Sequence, residues 1–166
     1  MAWQCYQVSI NLKTKDMNLT NELNEIQVNY TSKIKKSEMP KVVTSIDAFN
    51  CFKHVWSDKM EFVEESLLLL LNRANKVLGF VKLSSGGTAG TVVDIKLIFA
   101  IALKTNASSI IMAHNHPSGN LKPSDADLKL TKDLSASGKI LGIPLLDHLI
   151  LTDEGYYSMA DEGTLI

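Results

Sequence analysis

Hydrophobic positions change period several times along this chain, and each change marks an element. Residues 1–24 are polar and Asn-rich with no steady period, which predicts a peripheral N-terminal segment ahead of a single domain over 25–166. Ile26, Val28 and Tyr30 alternate at period two, the spacing of a half-buried strand. The charged run at 32–41 follows as a solvated connector. Phe49, Phe52 and Trp56 then share a stripe at helical spacing, so a helix capped by Ser45 and running to about Ser57 would bury that stripe. Leu67 to Leu71 has no polar face, as expected for a central strand covered on both sides. A turn at 72–75 returns the chain as a second strand over 76–83.

The second half alternates helix and strand. Asp94 caps a predicted helix over 95–104, with Leu97, Ile98, Ile101 and Ala102 on its buried face. Ala107 to Ala113 is a short apolar run of small and β-branched residues and reads as a buried strand. Residues 125–137 are amphipathic through Leu130 and Leu134, with Ser124 as N-cap and Gly138 as C-cap. Leu145 to Leu151 makes a further strand, 153–155 a turn, and Tyr156-Tyr157 a short return. Strands interspersed with helices predict an α/β fold with a mixed sheet, the 66–71 and 107–113 strands central and helices on both faces.

Composition narrows the class without choosing a function. With 45% hydrophobic and 21% charged residues in 166, one full core is expected. Seventeen basic against eighteen acidic residues leave a net charge of -1, so bulk charge supports neither a nucleic-acid nor a membrane partner. Cys5 and Cys51 lack a C-x-x-C arrangement, which suggests free thiols in a reducing cytoplasm. The N-terminus has no charged region followed by an apolar one, and Leu67 to Leu71 is too short to span a bilayer. Together these predict a soluble, cytoplasmic protein. An exposed strand edge would allow a homo-oligomer, a choice the sequence leaves open.

Chemistry concentrates at Ala113 to Asp127, AHNHPSGNLKPSDAD. His114 and His116 leave the 107–113 strand on one face, with Asn115 pointing away. Pro117 ends the strand, Gly119-Asn120 turns the chain, and the helix starting after Ser124 places Asp127 in its first turn. Two imidazoles and a carboxylate leave one position open, the donor set of a catalytic zinc. A capping box, Ser124 with Asp127, explains those two residues alone. It does not explain two histidines at strand spacing upstream of them. The Gly-rich stretch at 84–91 lacks the pattern of a P-loop and reads as a turn. His54, within the first helix, reads as a surface histidine. His148 in LDHLIL could orient a ligand from behind the site or sit as a core-edge histidine, and Asp147 faces the other way by strand parity.

The order His-x-His-Pro, six residues, Ser, two residues, Asp resembles the motif of the JAMM (MPN-type) metallohydrolases, and HNHPSG, PS-x-x-D and LDHLI resemble its bacterial RadC-like branch. The likeness runs from about Met60 to the C-terminus. It implies a mixed-sheet fold of the kind shared with cytidine deaminases. It also implies one Zn2+ per chain held by His114, His116 and Asp127, and a glutamate ahead of the ligands acting as general base. Glu61, Glu64 and Glu65 precede the leucine strand; the family pattern Glu-x-Phe-x-x-Leu selects Glu64, with Glu65 the alternative because Ser66 stands where an aromatic is usual. By the same resemblance Glu64 would take a proton from a zinc-activated water and return it to the leaving amine, while Ser124 donates to the developing oxyanion. The implied activity is a peptidase or isopeptidase acting on a peptide or protein. A zinc-stabilised interaction module, or a factor associated with DNA repair, would use the same fold without turnover. His-x-Glu with Pro-Cys-x-x-Cys, His-Glu-x-x-His and G-x-S-x-G are all absent, which argues against deaminase, other zinc-protease and serine-hydrolase chemistry.

Overall fold

The computed structural model describes residues 34–86 and 93–165. The predicted 25–30 strand, the peripheral segment before it, Cys5 and most of the Gly-rich stretch lie outside the described residues. Elements follow in the order α1 (Ser45–Val55), β1 (Glu64–Leu71), β2 (Val77–Gly86), α2 (Ile95–Lys104), β3 (Ser109–Asn115), α3 (Asp125–Leu141), β4 (Leu145–Leu151) and β5 (Tyr156–Ser158). They form a five-stranded sheet of order β2-β1-β3-β4-β5. Among the described strands only the β3–β4 pairing is parallel, so the sheet is mixed and β3 is its middle strand.

The unbroken leucines of β1 follow from burial on both faces. Leu67, Leu69 and Leu71 join Ala48 and Phe52 of α1, whereas Leu68 and Leu70 join Ile98, Ala102 and Leu134 of α2 and α3. β3 repeats the division, with Ile111 and Ala113 facing α1 and Ile110 and Met112 facing the other helices. Each fully buried leucine contributes roughly 1.5–3 kcal/mol, so the parity of β1 is strongly fixed. That parity carries on to the polar residues at the strand's start: Glu64 and Ser66 belong to the α3 face, Glu65 to the α1 face.

Several boundaries differ from the sequence reading. Thr44, not Ser45, precedes α1; the Asp47 carboxylate accepts from the Val43 and Thr44 amides at 2.9 Å each, which frees the Ser45 hydroxyl to donate to Asp161. The helix stops at Val55, so Trp56 falls just beyond it and Phe52 alone of the stripe is fully buried. On α2 the buried residues are Ile98, Phe99 and Ala102, while Leu97 is 48% exposed, because the sheet meets the helix one residue later around its circumference. β3 reaches Asn115, which brings His114 inside the strand rather than to its exit.

Gly138 is not a C-cap. α3 runs on to Leu141, and Gly142 adopts the left-handed conformation at φ 67°. Ile143 N–H then bonds the Gly138 carbonyl at 2.9 Å, closing a Schellman turn. Gly138 is required for a different reason: a Cβ there would meet the Ile143 carbonyl oxygen at 2.5 Å. A backbone atom cannot rotate away. Gly138→Ala is therefore expected to lower stability by ~1–2 kcal/mol, the overpacking cost exceeding the helix-propensity gain of about 1 kcal/mol. A shift of the urea midpoint checks this, and a variant more stable than wild type would refute it.

Candidate metal centre

The site forms where β3, its exit loop and the first turn of α3 meet. His114 and His116 bring their Nε2 atoms to 3.0 Å of each other. His114 Nε2 lies 3.2 Å from Asp127 Oδ1, and His116 Nε2 lies 3.6 Å from Asp127 Oδ2. These are the three side chains expected to hold a metal, and one ligand atom from each lies within 4.8 Å of the others. Capping and ligation are not alternatives for Asp127. Its Oδ2 accepts from the Ser124 amide at 2.7 Å and the Ser124 hydroxyl at 2.6 Å, completing the capping box, while Oδ1 faces His114 and the same Oδ2 also lies toward His116.

The outer nitrogens of both rings are committed elsewhere. His116 Nδ1 donates to the Asn120 carbonyl at 2.6 Å, which turns the Nε2 lone pair inward. His114 Nδ1 meets His148 Nε2 at 2.8 Å; His148 Nδ1 meets Thr131 Oγ1 at 2.6 Å, and Thr131 Oγ1 lies 2.7 Å from the Asp127 carbonyl. Complete burial, with His114 next in effect, pushes His148 well below its ordinary value. It is therefore neutral and carries one proton. One assignment satisfies the chain: Thr131 donates to the Asp127 carbonyl, His148 Nδ1 donates to Thr131, and His114 Nδ1 donates to His148. His114 then also presents an Nε2 lone pair inward. Two lone pairs facing each other at 3.0 Å repel unless a proton or a metal cation lies between them.

In the metal-free site a proton held by His116 would meet that need, and its surroundings favour it. The hydrogen bond to Asp127 raises the His116 pKa against the opposing effect of burial, with the Asn120 carbonyl and the charges of Asp127 and Glu64 adding to the rise. Burial pushes the Asp127 carboxyl up, but the imidazoles of His114 and His116 beside it, with Ser124, outweigh that and hold the group far below the usual carboxylate range. The donor set, two imidazoles and a fixed carboxylate with ordered outer partners, suits zinc.

The model of the RadC-like JAB domain matches residues 42–164. The chain belongs to this family. Relatives include UPF0758 proteins from Flavobacterium johnsoniae, 44% identical over 126 residues, and Porphyromonas gingivalis, 38% identical over 135 residues. Those alignments cover 76% and 80% of this chain but only 54% and 60% of the relatives. A UPF0758 protein of Clostridium botulinum is 34% identical over 158 residues, 92% of this chain and 68% of its own. The chain thus spans little more than half the length of the first two relatives, whose names state no activity.

Within this RadC-like JAB domain, strand parity separates the two glutamates. β1 pairs with β3 through Ser66↔His114, so Glu64, two residues back on the same face, lies toward His116. Glu64 is half-buried and lines one cleft with His116, Pro117, Asn120, Lys122 and Ser124. Glu65 is fully buried on the opposite face. It accepts from Ser57 Oγ at 2.7 Å and from Ser85 Oγ at 3.3 Å, and pairs with Lys82. Glu61 lines a separate cleft with Trp56 and Phe62. Ser124 borders the Glu64 cleft, with its proton directed to Asp127. His54 is exposed on α1, and Cys51 is a half-buried free thiol. Asp147 faces away from the site, accepting from Ser158 Oγ at 2.6 Å and the Ala160 amide at 3.0 Å.

Two residues of the site escaped the sequence reading. Thr131 lies one helical turn beyond Asp127 and so shares its face, a spacing that could have pointed to it. Asn120 contributes only a backbone carbonyl, for which residue type gives no signal. No helix among the described residues is long and apolar enough to cross a membrane.

Proposed function

We propose that this domain is a zinc-dependent hydrolase of amide bonds, a peptidase or isopeptidase, with one zinc held by His114, His116 and Asp127. The observation that carries the reading is convergence: three ligand atoms within 4.8 Å, beside a cleft that Glu64 and Ser124 both line. Zinc bound there would supply Lewis acidity, polarising a carbonyl and lowering the pKa of a water to about 7. Glu64, on the cleft side of the ligands, accepts the proton of the attacking water and delivers it to the leaving amine. Ser124 turns its hydroxyl from Asp127 Oδ2 toward the substrate oxygen as negative charge develops there. His148 and Thr131 keep His114 in the tautomer that ligates, and the Asn120 carbonyl does the same for His116. A peptide or protein is the substrate class; a net charge of -1 gives no support to nucleic acid.

Purified without chelator, the protein is expected to contain one zinc per chain and to cleave peptide or isopeptide bonds, an activity removed by chelation and restored by zinc. A wild-type protein free of zinc would refute the reading. Stoichiometric zinc with no cleavage across a broad peptide panel would replace it with a metal-stabilised interaction module.

A further inference from the structure

We infer that Asn115, the residue between the two histidine ligands, is a positioning residue that holds Glu64 in the cleft; the inference rests on the role proposed for Glu64 above. Backbone pairing of β1 with β3 ends at Ser66↔His114. Beyond that point the Asn115 side chain takes over the pairing. Its carboxamide oxygen accepts from Glu65 N–H at 2.7 Å, and its NH2 donates to the Val63 carbonyl at 2.9 Å and the Met60 carbonyl at 2.5 Å.

The Val63 carbonyl and the Glu65 amide belong to the two peptide groups on either side of the Glu64 Cα. One side chain therefore grips both planes that set the direction of the Glu64 side chain. Asn115 is completely buried, so water cannot replace these bonds, and each donor and acceptor of the amide has a partner. Glu65 braces the same segment from the α1 face through Ser57 and Lys82. The His-Asn-His triplet thus serves both sides of the chemistry: its outer residues ligate, and its middle residue, by strand alternation, reaches the other face and fixes the base. Neighbouring strand geometry makes the coupling rigid, since His114 and Asn115 share a peptide unit.

The test uses Asn115→Ala and Asn115→Asp, alone and combined with Glu64→Gln. The aspartate keeps the shape and the acceptor for Glu65 N–H but loses both donors. In the metal-free protein, Asn115→Ala is expected to lose hydrogen-exchange protection at the Glu65 amide, Asn115→Asp is expected to keep it, and both are expected to lose the nuclear Overhauser contacts between the Glu64 side chain and the His116 ring. In the zinc-loaded protein, zinc content stays at one per chain and kcat falls about 10²-fold, the scale of a misplaced catalytic group. KM is unchanged, and adding Asn115→Ala to Glu64→Gln lowers kcat no further. Glu64–His116 contacts unchanged in both variants, or Glu65 exchange unchanged in Asn115→Ala, would overturn the inference, as would a full independent loss in the Glu64→Gln background or a loss of zinc. The metal-free measurements need no turnover, so they decide the clamp even if the wild type proves inactive and the proposed function fails.

Discussion

Glu64→Gln is expected to retain the fold and one zinc per chain while turnover falls by about 10²–10⁴-fold, the contribution of a positioned general base. Glutamine can still hydrogen-bond a water in the cleft, but it cannot take the proton. Parity is the physical reason the effect belongs to this glutamate: Glu64 shares the cleft with His116, whereas Glu65 is on the α1 face. The sequence argument leads to the expectation that Glu65→Gln is nearly silent, and its buried partners change that expectation. Glutamine there loses the charge opposite Lys82 and is expected to cost about 1–3 kcal/mol of stability, with turnover per folded molecule unchanged. Lys82 is 45% exposed, so its ammonium can turn to water rather than stay stranded. Burial raises the Glu65 pKa, but the bonds from Lys82 and Ser57 outweigh it and the net shift is downward from 4.5. Its stabilising contribution is thus present above pH 4.5 and lost as pH falls below it, so the stability gap between wild type and Glu65→Gln should close in acid. Turnover lost in Glu65→Gln and kept in Glu64→Gln would reverse the assignment.

His116→Ala is expected to lose the metal. Wild type should keep its zinc through dialysis and be stabilised by added zinc, by ~4 kcal/mol at a thousandfold excess over Kd. The variant, left with His114 and Asp127, should show neither effect. Elemental analysis and thermal melts with and without zinc measure both. The pH dependence of zinc uptake follows from the protonation of His116 in the metal-free site. Because Asp127 raises the His116 pKa above 6.5, that proton competes with zinc beyond the ordinary histidine range. Zinc affinity should continue to rise with pH above 6.5 rather than level off there. Full zinc occupancy in His116→Ala would show that His116 is not a ligand.

The candidate metal-binding cluster was legible because it is built from local geometry. His114 and His116 lie two apart at a strand end, and Asp127 lies three residues after a capping serine, so period two and one helical turn specify their faces without any knowledge of neighbours. The leucine run of β1 likewise announced burial on both faces. Element ends were less legible: Gly138 has the residue type of a C-cap, yet its role depends on the Ile143 carbonyl folding back against it.

What the tertiary structure decided is which side each alternating set faces and what waits there. Parity separates Glu64 from Glu65 in the sequence, but only the packing of Leu67, Leu69 and Leu71 against α1 assigns Glu64 to the ligand face. His148, 34 residues after His114, becomes its partner because β4 pairs in parallel with β3 and sets His148 beside Met112. Asn115, pointing away from the face of the two histidines, has no visible role until β1 arrives alongside and its side chain bonds the peptide groups around Glu64. Side-chain alternation is a property of the strand itself and can be read in one dimension. The partner of a side chain is set by strand order and register, which pairings between residues distant in sequence create.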